Sequence, residues 1–179
     1  RYDYSGDGIE ESFEQSCERL GRRDIDILYV HDIGAYTHGV EANERHMEAF
    51  LGSGYERLVR MKEQRRIRAF GLGVNECQVC LDVMKDAGPL DVILLAGRLT
   101  LLDRSAEDRL VPACDAAGTS LVLGGIFNSG ILATGPVDGA TYDYAPASDE
   151  ILDRVSALQA RAESHGIPLA TAALHLAIR

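Results

Sequence analysis

The residues of this chain best suited to chemistry stand where apolar runs give way to polar ones. His31-Asp32 closes the run Asp24-Ile-Asp-Ile-Leu-Tyr-Val, and Asn75-Glu76 closes Ile67-Arg-Ala-Phe-Gly-Leu-Gly-Val. Gly97-Arg98 follows the apolar run 92–96, and Gly124-Gly125 follows the run 120–123. An imidazole such as that of His31 can donate or accept a proton near neutral pH. A carboxamide and a carboxylate, as at Asn75 and Glu76, can donate and accept hydrogen bonds. The glycines at 124, 125 and 130 suit either a plain turn or a loop whose backbone lies close to a phosphate. Each of these residues also has a plain structural reading. His31 could cap a strand end and be satisfied by backbone, and Glu76 could cap the helix that follows it.

Cys77 and Cys80 form a C-x-x-C pair, a spacing shared by redox dithiols and by half of a zinc site. A zinc site would want a second pair or histidines at ligand spacing, but Cys17 and Cys114 stand alone and the 5 histidines show no such spacing. Four cysteines in a chain of this size do not make a disulfide framework. The expectation is two thiols on the first turns of a helix, and no metal. His46, His165 and His175 fall on helical stretches and read as structural or solvent-exposed.

The elements that must position these residues alternate in type. Apolar residues at Ile9, Phe13, Cys17 and Leu20 have helical spacing, which predicts a helix over 9–20. A buried strand over 24–32 follows, with a functional tip. A long helix is expected over 42–65, with Phe50, Leu58, Val59 and Met61 among its buried positions; Gly52-Ser53-Gly54 could move its start to Ser53. Then come a strand over 67–74, a helix over 77–87 closed by Gly88-Pro89, and a strand over 92–96. A helix over 106–117 stopped by Gly118 precedes a strand over 120–123. After a loop holding Gly135-Pro136 and Tyr142-Asp143-Tyr144, a helix over 148–165 has Ser148 as N-cap, and Pro168 starts another.

Apolar strands each followed by an amphipathic helix point to a parallel sheet covered by helices. Four strands could make a complete doubly wound sheet, but no G-x-G-x-x-G follows any of them. A flavodoxin-like sheet would need a phosphate loop after its first strand, and Asp32-Ile-Gly-Ala-Tyr is a poor one. Every strand ends in polar or glycine residues, as in a barrel that builds its site from several strand ends. The expected fold is α/β, a (β/α)8 TIM barrel of which this chain supplies about four strands and their helices.

With 46% hydrophobic and 26% charged residues the 179-residue chain has an ordinary globular composition, long enough for one sizeable core. A net charge of -10 argues against nucleic acid or an anionic membrane as partner. No apolar stretch is long enough to span a bilayer, and 1–8 reads as neither a signal nor a transit peptide. The expectation is a soluble, cytoplasmic protein. Arg1 is no initiator methionine, and the helical stretch ending at Arg179 has no stop signal, so the chain is expected to lie within a longer protein.

The segment Leu20-Gly-Arg-Arg-Asp-Ile-Asp-Ile-Leu-Tyr-Val-His31 resembles the aldo-keto reductase signature, in which an Asp-x-Asp strand delivers a catalytic histidine. Arg68-Ala-Phe-Gly-Leu-Gly-Val-Asn75-Glu76, Leu95-Ala-Gly-Arg-Leu-Thr-Leu-Leu-Asp103 and Gly124-Gly-Ile-Phe-Asn-Ser-Gly-Ile-Leu132 look like later segments of the same family, in order. Asp3-Tyr-Ser, Thr37-His38-Gly39 and Phe127-Asn-Ser-Gly-Ile-Leu132 are similar to the branch of aldose 1-dehydrogenases and of L-fucose, L-galactose and pyridoxal 4-dehydrogenases. The resemblance covers nearly the whole chain. It implies a partial barrel over 1–179 lacking the N-terminal strands and the C-terminal end.

By this resemblance the activity is NAD- or NADP-dependent oxidation of a cyclic hemiacetal, an aldose or pyridoxal, to a lactone. His31 would be the catalytic residue that orients the substrate oxygen. Asn75 and Glu76 would contact the nicotinamide carboxamide, where the family typically has Ser-Asn. Gly124, Gly125, Phe127, Asn128, Ser129 and Gly130 would form the cofactor loop, and Asp32, Tyr36 and His38 would meet the substrate. The family's base, a tyrosine tuned by a lysine and an aspartate, has no counterpart here. Its glutamine falls at Ala96 and its nicotinamide-stacking tyrosine at Gly124, leaving Phe127 or backbone to support the ring. The chain alone is therefore expected not to catalyse the reaction. Two rival readings are an NADPH-dependent reductase of aldehydes and ketones, and a non-catalytic, cofactor-binding or subunit-like barrel. The small-molecule partner would be a sugar or an aldehyde.

Overall fold

A computed structural model describes residues 2–178. They fall into two compact units, 2–95 with 109–122, and 96–108 with 123–178.

The first unit opens with α1 (Gly6–Leu20), capped by the extended Ser5, whose Oγ accepts the Gly8 N–H at 3.2 Å. The helix starts before the 9–20 expected because its start signal is the cap, not the buried stripe of Ile9, Phe13 and Cys17. Gly21, left-handed at φ 65°, ends it. Then follow β1 (Ile27–His31), a short α2 (Ala35–His38) that sequence spacing does not announce, and α3 (Val40–Ala49). A π-helical stretch, Phe50–Gly54, leads without a break into α4 (Tyr55–Glu63). The glycines at 52 and 54 therefore widen the expected long helix instead of interrupting it. A Cβ on Gly54 would lie 2.2 Å from the Tyr4 carbonyl oxygen, and Ser53 Oγ accepts the Gly6 N–H at 3.0 Å. The widened turn is where the N-terminal backbone crosses the helix.

The unit continues with β2 (Ala69–Val74), α5 (Gln78–Asp86), β3 (Val92–Ala96), α6 (Leu110–Ala117) and β4 (Ser120–Gly124). Turns occupy the first residues of the helix expected over 106–117. The four strands form one sheet in the order β1-β2-β3-β4. β1 and β2 run parallel with His31 opposite Gly73, and β2 and β3 run parallel with Gly71 opposite Val92. β2 is buried almost throughout, whereas Ile27 of β1 is 46% and Val122 of β4 is 44% exposed. β1 and β4 stand at the ends of the sheet order, where a chain supplying about four strands of a barrel is expected to leave open edges. Phe50, Leu58, Met61, Leu72 and Ile93 are fully buried, and Val59 is only half-buried.

α1 packs on α4. Arg66 pairs with Glu10 and, at 2.9 Å, with Glu14, and lies 4.9 Å over the Phe13 ring. Arg57 reaches Glu10 at 3.0 Å and Asp7 at 3.1 Å. The hydrogen bond from Arg66 is the main reason the Glu10 carboxyl is held below its usual range; partial burial opposes the effect, and Arg57 adds to it.

The second unit contains α7 (Ile131–Thr134), a hairpin of β5 (Thr141–Tyr142) and β6 (Ala145–Pro146), α8 (Asp149–Ser164) and α9 (Leu169–Ala177). Asp143 and Tyr144, at φ 48° and 65°, make the hairpin's two-residue left-handed turn. Ser148 caps α8 as expected, its Oγ 3.4 Å from the Ile151 nitrogen. Pro168 is the residue before α9, not its first member. Leu102, Ile131, Leu132, Val155, Leu169 and Ala173 form this unit's core. Among the described residues no helix is long and apolar enough to cross a membrane.

Candidate functional site

In the first unit, parallel pairing brings the C-terminal ends of β1 and β2 side by side. His31 is the last residue of β1 and lies opposite Gly73, two positions before Asn75. Its side chain is 77% exposed, and its Nδ1 lies 3.4 Å from Asp32 Oδ2. Asp32 takes a left-handed φ of 56° while its N–H donates to the Gly73 carbonyl at 2.9 Å. The chain thus turns sharply just past the histidine, and the imidazole projects from a fixed strand end.

Asn75 and Glu76, both half-buried, follow β2. Glu76 does not cap the helix after it. Its Oε1 accepts the Tyr36 N–H at 3.1 Å, within the first turn of α2, so it reaches across to the segment after His31. Gly34 permits this: a Cβ there would sit 1.8 Å from that same Oε1. Tyr36 is 47% exposed on α2. His38, at the end of α2, has its Nε2 2.8 Å from the Tyr4 hydroxyl. Its ring lies 4.5 Å from His46 and 4.6 Å from Tyr2. Burial, then His38 and Arg45, holds His46 below the usual histidine range. A cleft of about 610 Å³ runs between α1 and β1, lined by Tyr2, Tyr4, Phe13, Tyr29 and His31 among others.

The sequence alone assigns Tyr4 no role in the site. It is 5% exposed, and its hydroxyl donates to the His31 carbonyl at 3.0 Å. No periodicity links residues this far apart, and the nearest signal was its place in Asp3-Tyr-Ser, just ahead of the capping serine. Cys77 is the N-cap residue of α5, and Cys80 follows in the first turn with its Sγ 3.7 Å from the Glu76 carbonyl. Burial pushes the Cys80 thiol far up and the Cys114 thiol up to about 11, so neither is an activated nucleophile.

In the second unit, Gly97 donates its N–H to the Gly124 carbonyl at 2.9 Å, and a Cβ on Gly125 would lie 3.2 Å from the Gly97 nitrogen. Asn128, Ser129 and Gly130 are left-handed in succession, at φ 45°, 58° and 97°. Two of these are not glycine, a strained run that other contacts must sustain. Asn128 is 3% exposed, with its Nδ2 3.4 Å from the Gly97 carbonyl and its Oδ1 buried without a hydrogen-bond partner among the described residues. Its side chain therefore turns into the protein. Ser129 is exposed; its carbonyl accepts from Thr141 Oγ1 and its Oγ accepts the Tyr144 N–H, both at 3.2 Å. Phe127 is partly buried against the unit's core. Arg98, whose side chain is 11% exposed, pairs with Asp103 at 3.2 Å and with Asp143 at 3.0 Å, fixing the hairpin turn.

The family model that matches residues 1–179 is the aldo/keto reductase family. The chain is 42% identical over 179 residues to a pyridoxal 4-dehydrogenase of Microbacterium luteolum, covering 99% of this chain and 52% of that protein. It is 33% identical over 180 residues to a D-threo-aldose 1-dehydrogenase of a Pseudomonas species, covering 99% of this chain and 51% of that one. It thus spans about half the length of these relatives. Among solved structures, an aldo-keto reductase of Bacillus halodurans in its holo form superposes with a TM-score of 0.65 at 22% identity, over 88% of this chain and 48% of that one. A glycerol dehydrogenase of Gluconobacter oxydans gives 0.66 at 17% identity, over 97% and 52%. At these identities the superpositions speak to fold alone: parallel strands with helices, part of a (β/α)8 barrel. With the family model matched from end to end, the chain belongs to the aldo/keto reductase family.

Proposed function

We propose that the protein carrying this chain is a nicotinamide-dependent dehydrogenase that oxidises a cyclic hemiacetal, an aldose or pyridoxal, to its lactone. The observation that carries this reading is His31: an exposed imidazole at the end of β1, beside the end of β2 that holds Asn75 and Glu76. The 42% identity to a pyridoxal 4-dehydrogenase supports the substrate class.

Oxidation removes a hydride from the anomeric carbon and a proton from its hydroxyl, and NAD or NADP, when bound, supplies the hydride acceptor. Within each unit taken by itself, the described residues can meet a part of such a group. The left-handed run at 128–130 turns the Asn128 side chain inward and leaves an exposed Ser129, whose hydroxyl proton is not used by its bond from Tyr144. The Asn128 and Gly130 N–H groups already bond to the Gly125 and Phe127 carbonyls, so it is the Ser129 hydroxyl that would donate to a phosphate. Asn75 would hold the carboxamide. Glu76 already spends one oxygen on Tyr36, so its part in cofactor contact would fall to the other. His31 would accept a hydrogen bond at Nε2 from the hemiacetal hydroxyl and fix which face of the carbon is presented. Asp32, whose carboxylate lies beside His31 Nδ1, would hold that imidazole's orientation, and Tyr36 would meet the substrate's remaining hydroxyls.

The test follows reduction of NAD and of NADP by the purified full-length protein with L-fucose, L-galactose and pyridoxal, identifying the product. Lactone formation from any of the three supports the reading. Turnover only of NADPH with open-chain aldehydes, or cofactor binding without turnover, would replace it with a reductase or a non-catalytic barrel.

A further inference from the structure

The Asp32 N–H donates to the Gly73 carbonyl, toward β2. The peptide bond joining His31 to Asp32 is trans and planar, so the His31 carbonyl points the opposite way, off the edge of β1. A backbone carbonyl in such a place needs a donor. The Tyr4 hydroxyl supplies one at 3.0 Å, while His38 Nε2 lies 2.8 Å from that same hydroxyl. A phenol carries one proton, and a carbonyl can only accept. Tyr4 therefore gives its proton to His31, and His38 donates its Nε2–H into the phenol oxygen. Burial, with Tyr2 and Asp32 adding, raises the Tyr4 hydroxyl well above its usual range, so it stays a donor at neutral pH. At the other end of the same segment, Glu76 holds the Tyr36 N–H. The stretch from His31 to His38 is thus closed at both ends by side chains that sequence spacing does not connect.

We propose that Tyr4 and His38 are positioning residues for His31: the Tyr4 hydroxyl, oriented by the His38 Nε2–H, fixes the backbone from which the His31 imidazole meets the substrate. This rests on the role of His31 given above. It assigns His38, expected from sequence to touch the substrate, to the support of the histidine that does.

Three variants of the full-length protein test it: Tyr4→Phe, His38→Leu, and His38→Gln, whose amide N–H can replace the Nε2–H. Loss of one neutral hydrogen bond corresponds to roughly tenfold in rate. Accordingly kcat falls about that much in Tyr4→Phe and His38→Leu, the KM for the nicotinamide cofactor stays at its wild-type value, and His38→Gln recovers most of the rate. An unchanged kcat in Tyr4→Phe, or a His38→Gln variant no better than His38→Leu, overturns the proposal. If wild type shows no nicotinamide-linked turnover, the dehydrogenase reading fails, and ¹⁵N-histidine NMR then decides on the pair. A slowly exchanging His38 Nε2 proton that exchanges fast in Tyr4→Phe upholds it. A His38 protonated at Nδ1, or insensitive to Tyr4→Phe, overturns it.

Discussion

Gly34 has a φ of 142°, and Glu76 Oε1 stands where its Cβ would be. A Gly34→Ala variant must strain its backbone and displace the carboxylate that caps α2, which costs about 2 kcal/mol by urea denaturation. In a Glu76→Ala background the steric share of that penalty disappears, so the two substitutions couple; strict additivity would show that the close approach is not what demands glycine. At this scale the sequence was informative about residue types and blind to partners. His31, Asn75 and Glu76 were legible because apolar runs end at them. That Glu76 reaches Tyr36, 40 positions earlier, was not, because pairing across a parallel sheet leaves no local pattern. Tyr4 was hidden for the same reason. Asn128 was legible as part of a glycine-rich loop, but its inward turn depends on a left-handed backbone that composition does not specify.

Among the elements, α1 and α4 are joined through Arg66 and Glu10. The folded Glu10 carboxyl is depressed, chiefly by the hydrogen bond from Arg66, so the native state binds fewer protons here than the unfolded chain at mildly acid pH. The stabilisation is therefore complete above the usual glutamate range and is lost as pH falls through the folded value. Thermal midpoints measured across acid pH should fall less steeply for Glu10→Gln than for wild type; parallel curves would show that the pair contributes nothing. In the sheet, a Cβ on Gly71 would lie 1.5 Å from the Val92 carbonyl oxygen of the neighbouring strand. Gly71→Ala should cost about 4 kcal/mol or more, or leave the protein insoluble, and a variant of near wild-type stability would mean that β2 and β3 are spaced differently. Element types were readable from periodicity and caps, as Ser148 before α8 shows. The π-helical stretch was not: Gly52-Ser53-Gly54 signals a break, and only the Tyr4 backbone passing Gly54 explains why the helix widens instead.

At the scale of the molecule, alternation of apolar strands and amphipathic helices gave the α/β class, and the absence of a G-x-G-x-x-G turned the choice from a doubly wound sheet toward a barrel. The exposure of Ile27 and Val122 was legible too, because a chain supplying about four strands of a barrel leaves its first and last strands with open edges. The chain spans about half the length of the curated relatives it matches, and the residues proposed to act in it come from strand ends and loops, where barrel enzymes keep their chemistry. His31 carries the functional reading, so the most direct measurement compares wild type with His31→Ala in the full-length protein, following nicotinamide reduction by L-fucose, L-galactose and pyridoxal. A positioned proton-sharing group contributes roughly 10²–10⁴ in rate, and kcat should fall within that range while cofactor affinity is retained. A His31→Ala variant that turns over as fast as wild type would contradict the account.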